Sequence, residues 1–95
     1  MKVYDKLVRD RIPEIIESSG SRCDIEVVSD DVVLEYLYKK LGEEVSELLE
    51  DRNLDEIADV MEVLFAIGKK YGYSENDKRN ARGGFEDNLV LKKTY

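Results

Sequence analysis

The middle of this 95-residue chain contains two long stretches in which apolar residues recur every three or four positions. Such spacing places apolar side chains on one face of a helix, so each stretch is predicted to be an amphipathic α-helix. The first stretch ends at about Asp51, and the second runs from Leu54 to about Tyr71, where Gly72 ends it. Because only a tight turn at residues 52–53 joins them, the two helices must pack antiparallel as a helical hairpin.

Candidate N-caps at residues 29–31 precede the first of these helices. Its apolar positions are Val33, Leu34, Leu37, Tyr38, Leu41, Val45, Leu48 and Leu49. Gly42 lies inside it at a cost of about 1 kcal/mol relative to alanine, which predicts the close approach of another element. The second helix is apolar around more than half of its circumference, so we expect it to be the most buried helix. Two such hairpins would complete a four-helix bundle, which predicts at least a homodimer, or a dimer of dimers.

Shorter elements are predicted on either side of the hairpin. Residues 1–9 are expected to be an extended lead-in, followed by a helix over roughly 10–19 with Asp10 as its N-cap and Pro13 in its first turn. The alternation at 23–28 predicts a short strand, which a second strand at 89–91 would pair with. A short helix over 75–81 and a loop over 82–85 complete a single domain, 1–95, that is mainly all-α.

The charge and the cysteine content exclude several classes of function. A net charge of −7 argues against a nucleic-acid polymer or an anionic membrane surface as the partner, because both require clustered Lys and Arg. The chain has no histidine and one cysteine, Cys23, so neither a Cys/His zinc site nor an internal disulfide is expected. The longest apolar run, at 63–67, is too short to span a bilayer, and residues 1–6 lack the apolar core of a signal peptide. We therefore expect a cytoplasmic protein.

Four carboxylates of the hairpin carry the strongest indication of chemistry. Glu44 and Glu47 are three residues apart on the first helix, as Glu56 and Asp59 are on the second, so each pair shares a helix face. Glu47 lies six residues before position 53 and Asp59 six after it, which puts both about 9 Å from the turn. If the two faces converge, four carboxylates occupy one patch.

Such a patch of carboxylates is expected to bind a cation. Two like charges about 4 Å apart repel by about 4 kcal/mol at an effective dielectric constant of about 20. Oxygen ligands without histidine or cysteine select hard ions, so Mg²⁺, or Mn²⁺, is expected. The alternative is a solvated acidic face in which Lys40 forms an ordinary i,i+4 ion pair with Glu44.

Three motifs in this order resemble one protein family. They are Glu-Glu-x-x-Glu at 43–47 with Glu-x-x-Asp at 56–59, Lys-Leu-Val-Arg-Asp-Arg-Ile-Pro at 6–13, and Arg-Gly-Gly-Phe at 82–85. The carboxylate pattern resembles the MazG-like, all-α nucleoside triphosphate pyrophosphohydrolases. The chain as a whole resembles their phosphoribosyl-ATP pyrophosphohydrolase-like branch over nearly its full length.

The resemblance implies hydrolysis between the α and β phosphates of a nucleoside triphosphate or a phosphoribosyl nucleotide, which yields a monophosphate and pyrophosphate. It implies that Glu44, Glu47, Glu56 and Asp59 bind the metal. Glu47 is then the candidate that orients or deprotonates the attacking water, and Glu43 has an orienting role. A non-catalytic module that binds Mg²⁺ and a nucleotide, and a plain dimerisation module, stay open as alternatives.

Basic residues at both ends of the chain are candidates for binding phosphates, because Arg and Lys pair well with phosphate oxygens. The candidates are Lys6, Arg9, Arg11, Lys40, Lys78, Arg79 and Arg82. As an alternative, Arg9 and Arg11 pair with surface acids.

Overall fold

The computed structural model describes residues 2, 4–72 and 82–95. This part of the chain contains three α-helices, α1 (Ile12–Ser18), α2 (Asp30–Asp51) and α3 (Leu54–Tyr71), and no β-strand. The all-α prediction is therefore confirmed, while the strands predicted at 23–28 and 89–91 are wrong. The helix predicted over 75–81 lies outside the described residues. None of the described helices combines the length and the apolarity needed to cross a bilayer.

The predicted strands fail because, within the described ranges, neither segment pairs with another that would satisfy its backbone. Alternation of apolar and polar residues favours a strand only when one face is buried on a core. Ile25 is 56% exposed and Val27 is 93% exposed, so the apolar face of the segment at 23–28 is not buried on a core. Leu89 and Leu91 are also exposed, in a C-terminal segment without regular structure.

The hairpin of α2 and α3 forms as the periodicity predicts, and local chemistry fixes its turn. Arg52 takes a left-handed conformation (φ 47°) and ends α2, and its N–H donates to the carbonyl of Leu48. The side chain of Asn53 then accepts a hydrogen bond of 3.0 Å from the N–H of Glu56, which caps α3. Gly72 ends α3 in the left-handed region (φ 67°), as predicted.

A small core lies between α2 and α3. Leu37 of α2 and Val63 and Ile67 of α3 are its buried residues. Leu7, Val33, Leu41 and Ala66 pack against them and are partly buried. Two of the three buried residues belong to α3, but most of the apolar circumference of this helix remains exposed. Its exposed apolar side chains are Leu54, Ile57, Met61, Leu64, Phe65 and Tyr71.

Residues 4–9 of the lead-in segment have no regular secondary structure, and their contacts place them against α2. Leu7 contacts the core, and the hydroxyl of Tyr36 donates a hydrogen bond of 2.9 Å to Oδ1 of Asp5. The helix that follows, α1, buries no side chain, and its N-cap is Arg11 rather than the expected Asp10. These contacts bring residues 4–9 beside the acidic part of the hairpin.

Gly42 does not fulfil the role expected of it. A Cβ atom added at this position would meet no atom within 4 Å in the described structure. Among the described residues, therefore, no element approaches α2 closely at this glycine, and the expected close approach is not seen there.

Candidate metal centre

Three carboxylates converge where α2 and α3 approach the turn. One oxygen of each of Glu44, Glu56 and Asp59 lies within 4.8 Å of the others. Glu56 belongs to the first turn of α3, and Asp59 follows one turn later on the same face. Glu44 faces them from α2 because the two helices are antiparallel. The predicted convergence of acids from both arms of the hairpin is thus present for these three residues.

Two of these acids have buried oxygens that lack hydrogen-bond partners. Oε2 of Glu44 and Oε2 of Glu56 are shielded from solvent, and neither has a partner among the described residues. Buried polar atoms are almost always paired in folded proteins, because an unpaired one loses its hydration without compensation. Two orphaned oxygens in one group of acids therefore indicate that a further group completes it.

The electrostatics of Glu56 show how crowded this group is. Burial raises the pKa of Glu56, and the negative charges of Glu47, Asp59, Asp51 and Glu44 raise it further, in that order. The charged form of Glu56 is therefore disfavoured in the protein alone. A cation would reverse this effect, because it favours the charged carboxylate.

Glu47 and Glu43 lie outside the group of oxygens that approach within 4.8 Å. Glu47 is exposed, yet it is near enough that its charge is the largest charge effect on the pKa of Glu56. Glu43 is also exposed and lines a shallow depression with Lys6 and Lys40. The structure thus brings three of the four predicted ligands together and leaves Glu47 beside them.

Two cationic side chains touch the group. Nζ of Lys40 is 3.5 Å from Oε1 of Glu44, and the two side chains are only 20% and 12% exposed. This is the i,i+4 pair of the alternative interpretation, but it involves one oxygen of Glu44 and leaves the other unpaired. A guanidinium nitrogen of Arg9 lies 3.4 Å from Oδ1 of Asp59, so the lead-in segment reaches the site.

The other predicted phosphate-binding residues are more dispersed. Arg11 pairs with Glu14 at 3.4 Å on the exposed surface of α1, as the alternative interpretation holds. Lys6 lies over the ring of Tyr4, 5.7 Å from its centroid, and lines the same depression as Lys40. Arg82 is exposed and lines a separate depression formed by residues 82–89. Lys78 and Arg79 lie outside the described residues.

The three convergent acids fit a hard divalent cation. All the donors are carboxylate oxygens, which suit Mg²⁺ and Mn²⁺ rather than softer metals. Glu44, Glu56 and Asp59 would hold the ion, and the two orphaned oxygens are the atoms that it would satisfy. An ion held in this way can bind phosphate oxygens through its remaining coordination positions.

The sequence pattern did not single out Lys39, which lies beside this site. Tyr36 and Lys39 line the depression together with Lys6 and Lys40. Tyr36 lies three residues before Lys39 and four before Lys40, so these side chains share a face of α2, and this part of the arrangement follows from the sequence. The rest of the arrangement depends on the position of the lead-in segment, which the periodicity of α2 does not determine.

Comparisons with known proteins leave the family of the chain open. No family model matches it, and no solved structure matches it. A segment of 43 residues is 54% identical to part of an uncharacterized protein of Mycolicibacterium smegmatis. The match covers 45% of this chain and spans 44% of that protein's length.

Proposed function

We propose that this chain is a Mg²⁺-dependent nucleotide pyrophosphohydrolase. It would cleave the α–β phosphate bond of a nucleoside triphosphate or a phosphoribosyl nucleotide and release pyrophosphate. The observation that carries the proposal is the convergence of Glu44, Glu56 and Asp59 within 4.8 Å, with a buried oxygen on each of the two glutamates that has no hydrogen-bond partner in the part of the chain that the structure describes. The motifs at 6–13, 43–47 and 82–85, with their resemblance to MazG-like enzymes, select the reaction.

The roles of the residues follow from their positions. Glu44, Glu56 and Asp59 would hold the ion, which would neutralise charge on the phosphates and make a bound water more acidic. In this proposal Glu47 is the candidate that orients or deprotonates the attacking water, and its exposed position near Glu56 supports that role. Arg9, next to Asp59, is placed to contact a phosphate of the substrate.

Pyrophosphate release from a panel of nucleotides, with and without Mg²⁺, tests this function. The double variant Glu44→Gln/Asp59→Asn removes two ligand charges with little change in shape, and we expect it to lower the rate at least about 100-fold. The matched control is Glu62→Gln, because Glu62 is an exposed glutamate of α3 outside the group of acids. Full activity in the double variant would refute the assignment of the site.

Binding without turnover is the informative alternative outcome. Calorimetry that detects Mg²⁺-nucleotide binding to the wild-type chain, with no release of pyrophosphate from any nucleotide, would identify a non-catalytic binding module. Absence of both binding and turnover would leave the plain dimerisation module as the explanation of the fold.

The proposed enzyme is a homodimer or a dimer of dimers. The support is the exposed apolar side of α3, where Met61, Leu64 and Phe65 are each about half exposed. A monomer this small has a marginal core, and covering this face would bury further apolar area. Sedimentation equilibrium measures the mass, and Leu64→Glu should convert the assembly to monomers, whereas a monomeric wild-type chain would contradict the proposal.

A further inference from the structure

Arg9 joins the lead-in segment to the acidic part of the hairpin. One of its terminal guanidinium nitrogens lies 3.4 Å from Oδ1 of Asp59, which is 50 residues away along the chain. Asp59 is one of the three convergent acids. A cationic side chain of the protein itself therefore neutralises part of the charge at the candidate metal centre.

The backbone around Arg9 is held on both sides. On the N-terminal side, Leu7 packs on the core, and the hydroxyl of Tyr36 donates a hydrogen bond to Asp5. On the C-terminal side, the carbonyl of Arg9 accepts a hydrogen bond of 3.0 Å from the N–H of Ile12, where α1 begins. Two residues of chain span at most about 7 Å, so the contact of Leu7 with the core keeps the backbone of Arg9 beside the metal centre even when its side chain changes partners.

The two cationic side chains that touch the acids differ in how easily they can leave. The side chains of Lys40 and Glu44 are only 20% and 12% exposed, whereas those of Arg9 and Asp59 are 55% and 44% exposed. Removal of a cation from a buried pair strands a buried carboxylate, which is costly. An exposed pair contributes little, because water screens it and a long side chain loses freedom in it. Arg9 is therefore the cation that a bound ion would displace.

A divalent cation would compete with Arg9 for Asp59. An ion bound to Asp59 would lie close to the guanidinium, and like charges repel. The ion would also satisfy the buried oxygens of Glu44 and Glu56, which have no partner among the described residues. The displaced guanidinium would stay beside the ion, and its planar array of N–H donors suits the oxygens of a phosphate bound to that ion.

We propose that Arg9 exchanges partners. It pairs with Asp59 in the absence of a divalent cation, and it turns to a phosphate of the ligand when the cation takes Asp59. Arg9 thereby disfavours the cation alone and favours the cation that is bound together with a polyphosphate. The phosphate part of this exchange rests on the proposed function, whereas the competition at Asp59 rests on the observed ion pair.

Calorimetric titration of the full chain with Mn²⁺ alone tests the competition without requiring turnover. We expect Arg9→Gln to bind Mn²⁺ about threefold more tightly than the wild type, because the competing ion pair is lost. Arg9→Lys keeps the charge and should stay near the wild type. The matched control is Arg22→Gln, which removes an exposed arginine outside the group of acids and should leave Mn²⁺ binding unchanged. Equal Mn²⁺ affinity in the wild type and Arg9→Gln would overturn the exchange even if nucleotides are hydrolysed.

Nitrogen NMR of the guanidinium groups detects the displacement itself. Saturating Mg²⁺ should shift the signal of Arg9 towards that of a solvated guanidinium and leave the signal of Arg22 in place. Arg9→Lys assigns the signal, because it removes that signal alone. An Arg9 signal that does not respond to saturating Mg²⁺ would overturn the exchange.

The sign of the effect should reverse when phosphate is present. At saturating Mg²⁺, we expect Arg9→Gln to bind inorganic pyrophosphate about tenfold more weakly than the wild type, because it loses a hydrogen bond between charged groups. A merely structural role of Arg9 would weaken the binding of both Mn²⁺ and pyrophosphate, so that result would overturn the exchange. Tighter Mn²⁺ binding and weaker pyrophosphate binding in Arg9→Gln, without turnover of any nucleotide by the wild type, would uphold the exchange and refute the proposed function.

Discussion

The two halves of the α2–α3 hairpin differ in how well their apolar side chains are buried and their polar atoms are paired. The half remote from the turn contains all three buried residues of the described chain, Leu37, Val63 and Ile67. Its ends are tied together by Lys70, whose ammonium donates to Oδ1 of Asp30 at 2.6 Å. This half therefore has the buried apolar contacts and the ion pair that stabilise two packed helices.

The half next to the turn has the opposite character. Glu44, Glu56 and Asp59 converge there, and two of their oxygens are buried without a hydrogen-bond partner among residues 2, 4–72 and 82–95. Leu49 and Leu54, which flank the turn, are 63% and 81% exposed. Groups that repel one another in the protein alone persist only where the rest of the fold holds them in place. The comparison indicates that the remote half stabilises the hairpin, whereas the half next to the turn contains the acids to which the proposed cation would bind.

The largest expected effect is on the stabilising half. Ile67 is 8% exposed in a core of few residues, so Ile67→Ala removes buried methyl groups that nothing nearby can replace. We expect a loss of about 3 kcal/mol in the free energy of unfolding, measured by urea denaturation. Leu89→Ala is the control, because Leu89 is 87% exposed and should change stability little. A loss as small as that of the control would refute the division between the two halves.

The half next to the turn should respond to a divalent cation. Mg²⁺ at a hundredfold excess over its dissociation constant should stabilise the folded state by about 2.7 kcal/mol, because it binds the native acids. Thermal unfolding with Mg²⁺, and again after addition of a chelator, measures this effect. Glu56→Gln should abolish it, whereas Glu62→Gln should retain it. An unfolding midpoint that is indifferent to Mg²⁺ and Mn²⁺ would leave this half without a ligand.

Without a cation, Glu56→Gln is expected to have the opposite effect on stability. Because the pKa of Glu56 is raised in the folded protein, the native state holds this proton more tightly than the unfolded state does. Stability is therefore lost as the pH rises from the unfolded pKa, near 4.5, through the raised folded value. In the metal-free protein, Glu56→Gln should raise the unfolding midpoint at neutral pH and flatten this pH dependence. A lower midpoint for the variant would contradict the crowding of charges.

Gly42 marks a place where the sequence weakens α2 and where no described residue packs closely enough to require a glycine. Its position is helical and a Cβ would meet nothing within 4 Å, so Gly42→Ala is free of steric cost. We expect the variant to gain about 1 kcal/mol in unfolding free energy, measured by urea denaturation. Gly72→Ala is the contrasting variant and should destabilise, since its φ of 67° is strained for alanine. Destabilisation by Gly42→Ala would reveal a neighbour at this position in the assembled protein.

The smallest effect should come from the ion pair that ties the ends of the remote half. The hydrogen bond and the charge of Lys70 lower the pKa of Asp30 below its usual value. The pair therefore contributes stability above the unfolded pKa, near 3.8, and this is lost as the pH falls through the folded value. Asp30→Asn should weaken the protein slightly at neutral pH, by urea denaturation, and make no difference in strong acid. Asp31→Asn controls for the loss of a charge in the same first turn.

Periodicity and caps predicted the hairpin well because they act within one segment. Asp51, Tyr71 and Gly72 end the helices where the sequence indicated, since loop and cap residues determine helix ends locally. The strands at 23–28 and 89–91 were predicted wrongly because a strand requires a partner, and alternation in one segment does not supply it. The cytoplasmic location and the enzymatic activity stay predictions.

Only part of the site was predicted from the sequence, because the rest depends on contacts between separate segments. Spacing placed Glu56 and Asp59 on one face of α3, but the rotation of α2 about its own axis decides which of its acids faces them. The structure brings Glu44 into the group and leaves Glu47 beside it. Pairing of Arg9 with Asp59, at 3.4 Å, likewise depends on a long-range contact that no local pattern contains.

The sequence by itself determined that this chain forms a helical hairpin with acids on both arms near the turn, because helix periodicity and capping are local properties. Only the tertiary structure decided which three acids meet, that two of their oxygens are buried with no partner among the described residues, and that the lead-in segment brings Lys6 beside Lys39 and Lys40. These facts depend on how separate segments pack, and packing is set by the whole molecule.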